Sequence, residues 1–564
     1  MSQANTAVKI LDVRGNPMAR APQSRFMALN GFTGPGNVPY DAASTYDQHM
    51  AAWQPSLWSP DTEINPFRDR IVSRVRDAVR NDGWASGGVT RILDNAIGPN
   101  FRPKAKPDHA KLKAMSGAAF DADWAQEYGA TVEANYRSWA NDPGMWCDVT
   151  RGQDVPGIFY LAFRHKIVDG DALAMMRWEP SRLGVGRASY NTAVQGIDPD
   201  RLSNLMNGFD TKDCRGGVFI NDFGAAEAYS IRQAHQGDWY NAAESLHWIR
   251  VPRETEWGRP IIIHDFDRDR FGQHRGGAGV LAPVLQRLKM LIKYDGTELD
   301  AAIVNAIFAA YLESPFDHDL LQDALGEEAP LNNYQTSRMQ FHDQRRLMLN
   351  GVRMPTLFPG EKLSTVTAER PTTNFGDFEG SMLRNVAAGM GLSAQQLSNN
   401  WSDVNYSSAR AALLEAWKTM DRRRASFVNG FSHQVYLTWL EESFETDKYP
   451  LPKGAPEFMA ARAAYGKARW IGPAKGWVDP VAEKEGVFLG LSIGLTNLED
   501  ETAEQGNDLE ENLDQLAQEK KMFQKRGLVQ PSWTGVLTKG SSGDSDSSKP
   551  TPIPNPVKPG KEQS

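Results

Sequence analysis

Residues 374–445 constrain the chain more than any other stretch. They read as a short helix, a polar loop and then a very long helix. Asn374 or Asp377 is placed to accept the first free backbone N–H groups of the short helix. Phe378, Met382, Leu383, Val386 and Met390 follow at helical spacing, and Gly391 stops the run. The loop, residues 392–406, is rich in Ser, Asn and Asp around one large aromatic, Trp401. Ser407 or Ser408 then opens a helix expected to last to about residue 444. At 1.5 Å rise per residue, 408–441 spans roughly 50 Å, long for a globular helix. Leu413, Trp417, Met420, Phe427, Phe431, Val435 and Leu440 form its apolar stripe. Arg422, Arg423 and Arg424 interrupt the stripe and Gly430 weakens it, which predicts a bend.

The remaining residues bound the class. A chain of 564 residues has material for more than one domain. Its 62 basic and 70 acidic side chains leave a net charge of −8, unlike the basic surface of a protein that grips nucleic acid. An acidic wall repels phosphate, so any DNA would be guided past rather than held. Two cysteines, Cys147 and Cys214, make no disulfide or zinc framework and suit a reducing compartment. The first residues lack a signal-peptide pattern, and no apolar run reaches membrane-spanning length.

The chain is expected to be α+β. Residues 1–65, rich in Gly, Pro and Asn, read as an extended arm, and 531–564 as a disordered tail. Asn65 and Pro66 are expected to open a helix carrying Arg70, Arg74, Arg76 and Arg80. A second helix is expected over 121–141. From Gly157 the pattern reads as strand, with Asp169–Gly170 as a hairpin turn. Further strands fall at 217–220, 228–231 and 247–251. Residues 279–314 form a long helix with a kink or break at Gly296. The segment 315–373 is irregular, with Lys362–Val366 strand-like. Thr496 and Glu499 have the spacing of a capping box.

Several runs resemble the lambda-like family of phage portal proteins. The most specific are residues 385–397 (NVAAGMGLSAQQL) and 405–417 (NYSSARAALLEAW). Arg76, Asp77, Arg80 and Asn81, the segment 94–98, and His264, Phe266, Arg270, Gly272, Gln273, Arg275 and Gly276 add to it. So do residues 477–480, Leu495–Thr496, and Glu504 through Asp508. The resemblance covers about 65–527. It implies a portal fold: an N-terminal arm (1–65), an α/β wing (66–278), a stem helix (279–314), a small clip (315–373) and a second stem helix (374–391). A tunnel loop (392–406), a long kinked wing helix (407–446) and helical C-terminal wing or crown segments (447–530) follow.

The same resemblance implies a function. Copies form a ring, in the family a dodecamer, at one capsid vertex, through which double-stranded DNA passes during packaging and ejection. Ser398, Asn399, Asn400, Trp401, Ser402, Asp403 and Asn405 would line the bore; Trp401 reads equally as an anchor packed in the core. Arg70, Arg74, Arg76, Arg80, Arg410 and Arg422 would meet neighbouring copies, with ion pairs on a solvated face favoured over nucleic-acid contact. Glu327, Glu328, Arg345 and Arg346 would face the motor. Implied partners are the terminase large subunit, a head-completion protein, scaffold and major capsid protein. The implied place is the virion after assembly in host cytoplasm, with no membrane and no cofactor.

Enzyme motifs are missing from the sequence. No Gly-rich loop closes on Gly-Lys-Ser/Thr, and neither H-E-x-x-H nor G-x-S-x-G occurs. The nearest approach to a metal site is His264 with Asp265, Asp267 and Asp269, whose oxygens suit a hard cation but lack calcium-loop spacing. A metal-dependent hydrolase or nuclease using that cluster is one competing reading, and a solvated turn is the bland one. A helical adaptor is another competing function. Glu441–Glu442 is read as a solvated helix end.

Overall fold

The structure is a computed structural model that describes residues 52–277, 279–312, 375–402, 406–476 and 479–529, with short pieces at 42, 49–50, 340, 347–349 and 352–354. Most of the expected arm and clip, all of the tail, and Glu327, Glu328, Arg345, Arg346, Asp403 and Asn405 lie outside the described residues.

Helix α1 (Pro60–Asn81) leads into α2 (Gly83–Ala96). The cap of α1 is Ser59, and Pro66 sits inside the helix, so the expected cap at Asn65 is nearly two turns too late. Strand β1 (Arg102–Ala105), α3 (His109–Ser116) and α4 (Ala122–Ala140) follow, with α4 capped by Asp121 where expected. The next segment corrects the sequence reading. Residues Val155–Asp169 are helix α5, opened by Asp154 and closed by left-handed Gly170. Only Asp171–Trp178 is strand, β2. The helix is buried on many sides, so its apolar pattern carries no single-face period, and short buried helices and strands look alike.

Strands β3 (Thr192–Ile197), β4 (Cys214–Arg215), β5 (Val218–Ile220), β6 (Ala226–Arg232), β7 (Trp248–Pro252) and β8 (Ile262–Phe266) build two antiparallel sheets. One has the order β3-β2-β8 and the other β4-β5-β6-β7. Leu173, Met175, Ile197, Val218, Tyr229, Ile231 and Ile262 pack together between them.

Helix α6 (Leu285–Leu312) continues through Gly296 without the expected break. The hairpin β9 (Leu347–Leu349) and β10 (Val352–Met354) stands between it and α7 (Phe375–Met390). Tyr294 stacks on Phe375 at 5.6 Å, so α6 and α7 lie side by side. Then come α8 (Ala394–Ser398), α9 (Tyr406–Phe427), a π-turn (Val428–Ser432) and α10 (His433–Thr446). Where a bend was expected near Gly430, the helix makes this π-turn. Gly430 has a reason: a Cβ there would stand 2.1 Å from Asp265 Oδ1, so only glycine lets the helix approach β8. Phe427, Phe431, Tyr436 and Trp439 from these helices are fully buried among Phe101, Tyr136, Trp139, Phe159 and Phe163, the centre of the main core.

Helix α11 (Arg462–Tyr465) and β11 (Ala468–Ile471), which pairs with β1, bring the chain back to its beginning. The last helices, α12 (Pro480–Ser492), α13 (Leu498–Glu504) and α14 (Leu509–Arg526), contain no buried residue. Asn497, not Thr496, caps α13; the Thr496 hydroxyl instead donates to Glu501. Charge attaches this unit. Lys104 reaches Asp508 at 3.1 Å, Glu510 at 2.7 Å and Glu133 at 3.4 Å. Lys106 pairs with Glu499, and Arg102 and Arg137 pair with Glu511. Burial pushes the Glu133 carboxyl up to about 7, against the pull of Lys104.

Such a joint is screened by salt. At 1 M ionic strength the Debye length falls to about 3 Å. We expect cleavage by a protease of broad specificity near 472–479 to quicken in 1 M NaCl while the 60–470 body stays intact. Equal cleavage in 0.1 and 1 M salt, read by mass spectrometry, would refute attachment by charge.

Candidate functional site

The loop predicted to line a bore is built on α7 and α8. Gly391, at φ +72°, ends α7 and turns the chain. Ser393 then caps α8: its Oγ accepts from Gln396 N, and Ser393 N donates to Gln396 Oε1, a capping box the sequence reading did not note. Leu397 and Met390 bury against Gly88 of α2, where a Cβ would stand 2.5 Å from Met390 Cε. Beyond this anchored base the chain becomes polar and exposed. Asn399 is left-handed, φ +56°, and its Oδ1 accepts from Arg91 at 2.5 Å. Asn400 N donates to Ser398 Oγ, and Ser402 donates twice to Asn400 Oδ1. Trp401 is 40% exposed and lies outside the buried core. The base is fixed and the tip presents short polar groups and an indole to solvent.

The predicted subunit-contact arginines separate. Arg70, Arg74, Arg80 and Arg422 are exposed, and Arg410 is partly so. Arg76 is spent inside the chain: its guanidinium bonds Asp169 at 2.7 Å, Asp200 at 2.6 Å and Asp198 at 3.0 Å. The hydrogen bond to Asp169 holds its pKa well above the ordinary arginine value, outweighing burial.

The residues around His264 form a cage, not a metal site. Asp171, fully buried at the start of β2, accepts from His264 Nε2 at 2.9 Å, Arg68 Nη2 at 2.9 Å, Arg275 Nη2 at 3.1 Å and Gly276 N at 2.7 Å. Arg275 also donates to the carbonyls of Leu202, Gly216 and Pro199. Gly216 is left-handed, and a Cβ there would meet Arg275 Cδ at 2.6 Å. Burial opposes the charge of Asp171, but Arg275, Arg68 and His264 outweigh it and hold the carboxyl well below its usual range. Burial lowers His264 despite Asp171, and burial beside Arg68 lowers Arg275 to about 10.

Alternation along β8 sends the neighbouring acids the other way. Asp265 and Asp267 meet Lys166 of α5 at 2.8 and 3.1 Å, and Ser426 of α9 donates to Asp267. The cluster is therefore divided between two faces, and among the described residues no group of His, Cys, Asp and Glu is arranged to hold a metal ion. Glu442 corrects a further expectation. It is not solvated but 3% exposed, accepting from Asn191 N, Asn191 Nδ2 and Thr192 N at 2.6–2.8 Å, which pins α10 to β3. Glu441 beside it pairs with Arg259.

Residues 46–424 match the family model described as phage portal protein, lambda family. The portal protein of Escherichia phage N15 is 31% identical over 494 residues, 86% of this chain and 90% of the relative. Portal protein B of Escherichia phage lambda is 30% identical over 504 residues, 88% of this chain and 92% of the relative. A probable portal protein of Halomonas phage phiHAP-1 is 22% identical over 477 residues, 84% of each chain. Among solved structures, a chain from the neck of an empty GTA particle, computed with C6 symmetry, superposes with a TM-score of 0.35 at 13% identity, covering 78% of this chain and 93% of that one. Phage portal proteins are thus the class, and the chain belongs to their lambda family.

Two predictions follow from the cage and the helix beside it. A histidine whose folded pKa is depressed contributes stability that is full above its unfolded pKa, about 6.5, and is lost as pH falls. His264→Gln keeps an N–H for Asp171 but cannot titrate. Between pH 7 and pH 5 the wild type should lose stability relative to H264Q in urea unfolding; a constant difference would contradict the assignment. Gly430→Ala gains about 1 kcal/mol of helix propensity but drives a methyl into Asp265, costing about 1–3 kcal/mol. A net loss of stability is expected, and a more stable G430A would show that β8 and the π-turn are not in close contact.

Proposed function

We propose that this portal protein works as a structural, non-enzymatic ring of copies, a dodecamer, at one capsid vertex. Double-stranded DNA passes along the shared bore during packaging and ejection. In this reading 66–278 is the wing, α6 and α7 are the stem, 315–373 is the clip, and α9 with α10 is the kinked wing helix. The terminase large subunit docks at the clip, where Glu327, Glu328, Arg345 and Arg346 stand in the sequence. A head-completion protein, scaffold and major capsid protein are the other partners. The protein assembles in host cytoplasm and ends in the virion.

The observation that carries the reading is the exposed tip at 398–402, raised on a firmly capped base between the stem and the long helix. Asn and Ser side chains exchange contacts with phosphate and water cheaply, whereas lysine or arginine would release counterions and bind. Asp403 and Asn405 belong to the same collar by sequence. Arg70, Arg74, Arg80, Arg410 and Arg422 remain the proposed contacts between copies; Arg76 does not.

Electron microscopy of the purified chain tests the ring: particles with a central hole are expected, and a uniform monomer would sink the proposal. Within rings, Asn399→Lys with Asn400→Lys should slow packaging at least about tenfold at low salt, with partial recovery as salt rises. Unchanged packaging by that variant would remove the collar from the bore.

A further inference from the structure

On the side of the wing a cleft of about 450 Å³ opens between α1 and the loop 204–216. Its floor is unusual. Arg68 is 2% exposed; its Nη1 lies 3.7 Å from Asp69 and 4.0 Å from Asp200, beyond hydrogen-bond reach, and none of the described residues accepts a hydrogen bond from its Nε. Arg215 Nε, also lining the cleft, is likewise without an acceptor among them. Buried donors left unsatisfied cost about 1–3 kcal/mol each, so the cleft favours a guest that accepts. Its wall is mixed: Pro66 and Phe209 are apolar, Asp69 stands at its edge, and the Asp210 carboxylate is taken up by Asn65, Asn204 and Gly216. Phe209 is 95% exposed on a loop where Met206 and Asn207 both take positive φ, +53°, held by Arg232 Nη2 donating to Asn207 Oδ1. Non-glycine residues in that region cost energy and persist where the surroundings impose them.

The same chain carries a knob of matching chemistry. The turn between β6 and β7 presents Trp239 at 89% and Tyr240 at 99% exposure, with the exposed carboxylate of Glu244 beside them. Asp238 stiffens the turn, accepting from Tyr240 N at 3.0 Å and Asn241 Nδ2 at 3.0 Å. Rigid aromatics flanked by an acid complement the exposed ring of Phe209 and the unsatisfied guanidinium donors beside it. A ring needs two different surfaces on each copy that meet head to tail.

We propose that the Trp239–Tyr240 turn of one copy seats in the cleft of the next, Phe209 meeting the aromatics and Glu244 accepting from Arg215. The interface rests on the ring reading above and names the surfaces that close it.

The test uses the full chain, with circular dichroism to confirm that each variant is folded and mass photometry to read assembly. The cleft variant is Phe209→Ser with Arg215→Glu. The knob variant is Trp239→Ser with Tyr240→Ser. Each alone should stay monomeric where the wild type forms rings. Mixed one to one, they should stop at heterodimers, because each pair then holds one intact knob and one intact cleft. Arg215→Glu alone should weaken assembly at least about tenfold, and adding Glu244→Arg should restore it. Rings formed by either folded variant would overturn the interface while leaving the ring standing. Wild-type protein that never assembles would sink the ring and this interface together.

Discussion

The two sheets and the helices packed on them depend on one buried charge. Asp171 opens the central strand β2, directly after the glycine that ends α5, and its carboxylate gathers α1 through Arg68, β8 through His264 and the following turn through Arg275 and Gly276. Arg275 extends the hold to the backbone at Pro199, Leu202 and Gly216, the segment that leads into the second sheet. Removing one partner of such a set leaves an uncompensated buried charge, at about 3–5 kcal/mol. Arg76, Asp169 and His165 form a second layer around the same helix end. The two sheets and the helices α1 and α5 are thus oriented by directional bonds as well as by burial of apolar surface.

Much of this was legible in the sequence, and the failures have physical causes. Long periodic helices were readable: α4, α7 and the α9–α10 run fall where spacing and caps put them, and a π-turn falls where Gly430 weakened the stripe. Helix α5 was misread because burial on many sides erased its period. The start of α1 was misplaced because Pro66 fits a first helical turn as well as it fits this helix interior. The cage was half legible: His264, Arg275 and Gly276 stood out within a run, but their acceptor Asp171 lies 93 to 105 residues upstream, a distance no local pattern spans. Glu442 was missed for the same reason, its partners being Asn191 and the first residue of β3, Thr192. Of the exposed tip, the composition announced the polarity, while the Ser393 cap and the Arg91 contact that fix its base emerged only in three dimensions.

Different parts of the chain are held by different forces. The α9–α10 run lies in aromatic packing, with Phe427 and Phe431 stacked at 5.2 Å and Trp139 and Trp439 at 5.9 Å. The β2 and β8 strands and the turn after β8 are held to α1 by the Asp171 cage. The C-terminal helices bury no residue of their own and rest on Lys104, Lys106 and the arginines of β1 and α4. A mechanical protein gains from that division, because a strongly packed beam can stay rigid while a charged joint yields to its surroundings.

The π-turn at Val428–Ser432 has a consequence for the beam. A π-turn accommodates one residue beyond the α-helical count, so α9 and α10 are out of phase by that residue, about 100° of rotation. The arginine-bearing half and the tryptophan-bearing half therefore point their apolar sides in directions that a straight helix of this sequence would not. The segment works as a fixed-angle coupling: shorten it by one residue and Tyr436, Trp439 and Leu440 swing away from the pocket that receives them, with no change in composition anywhere else.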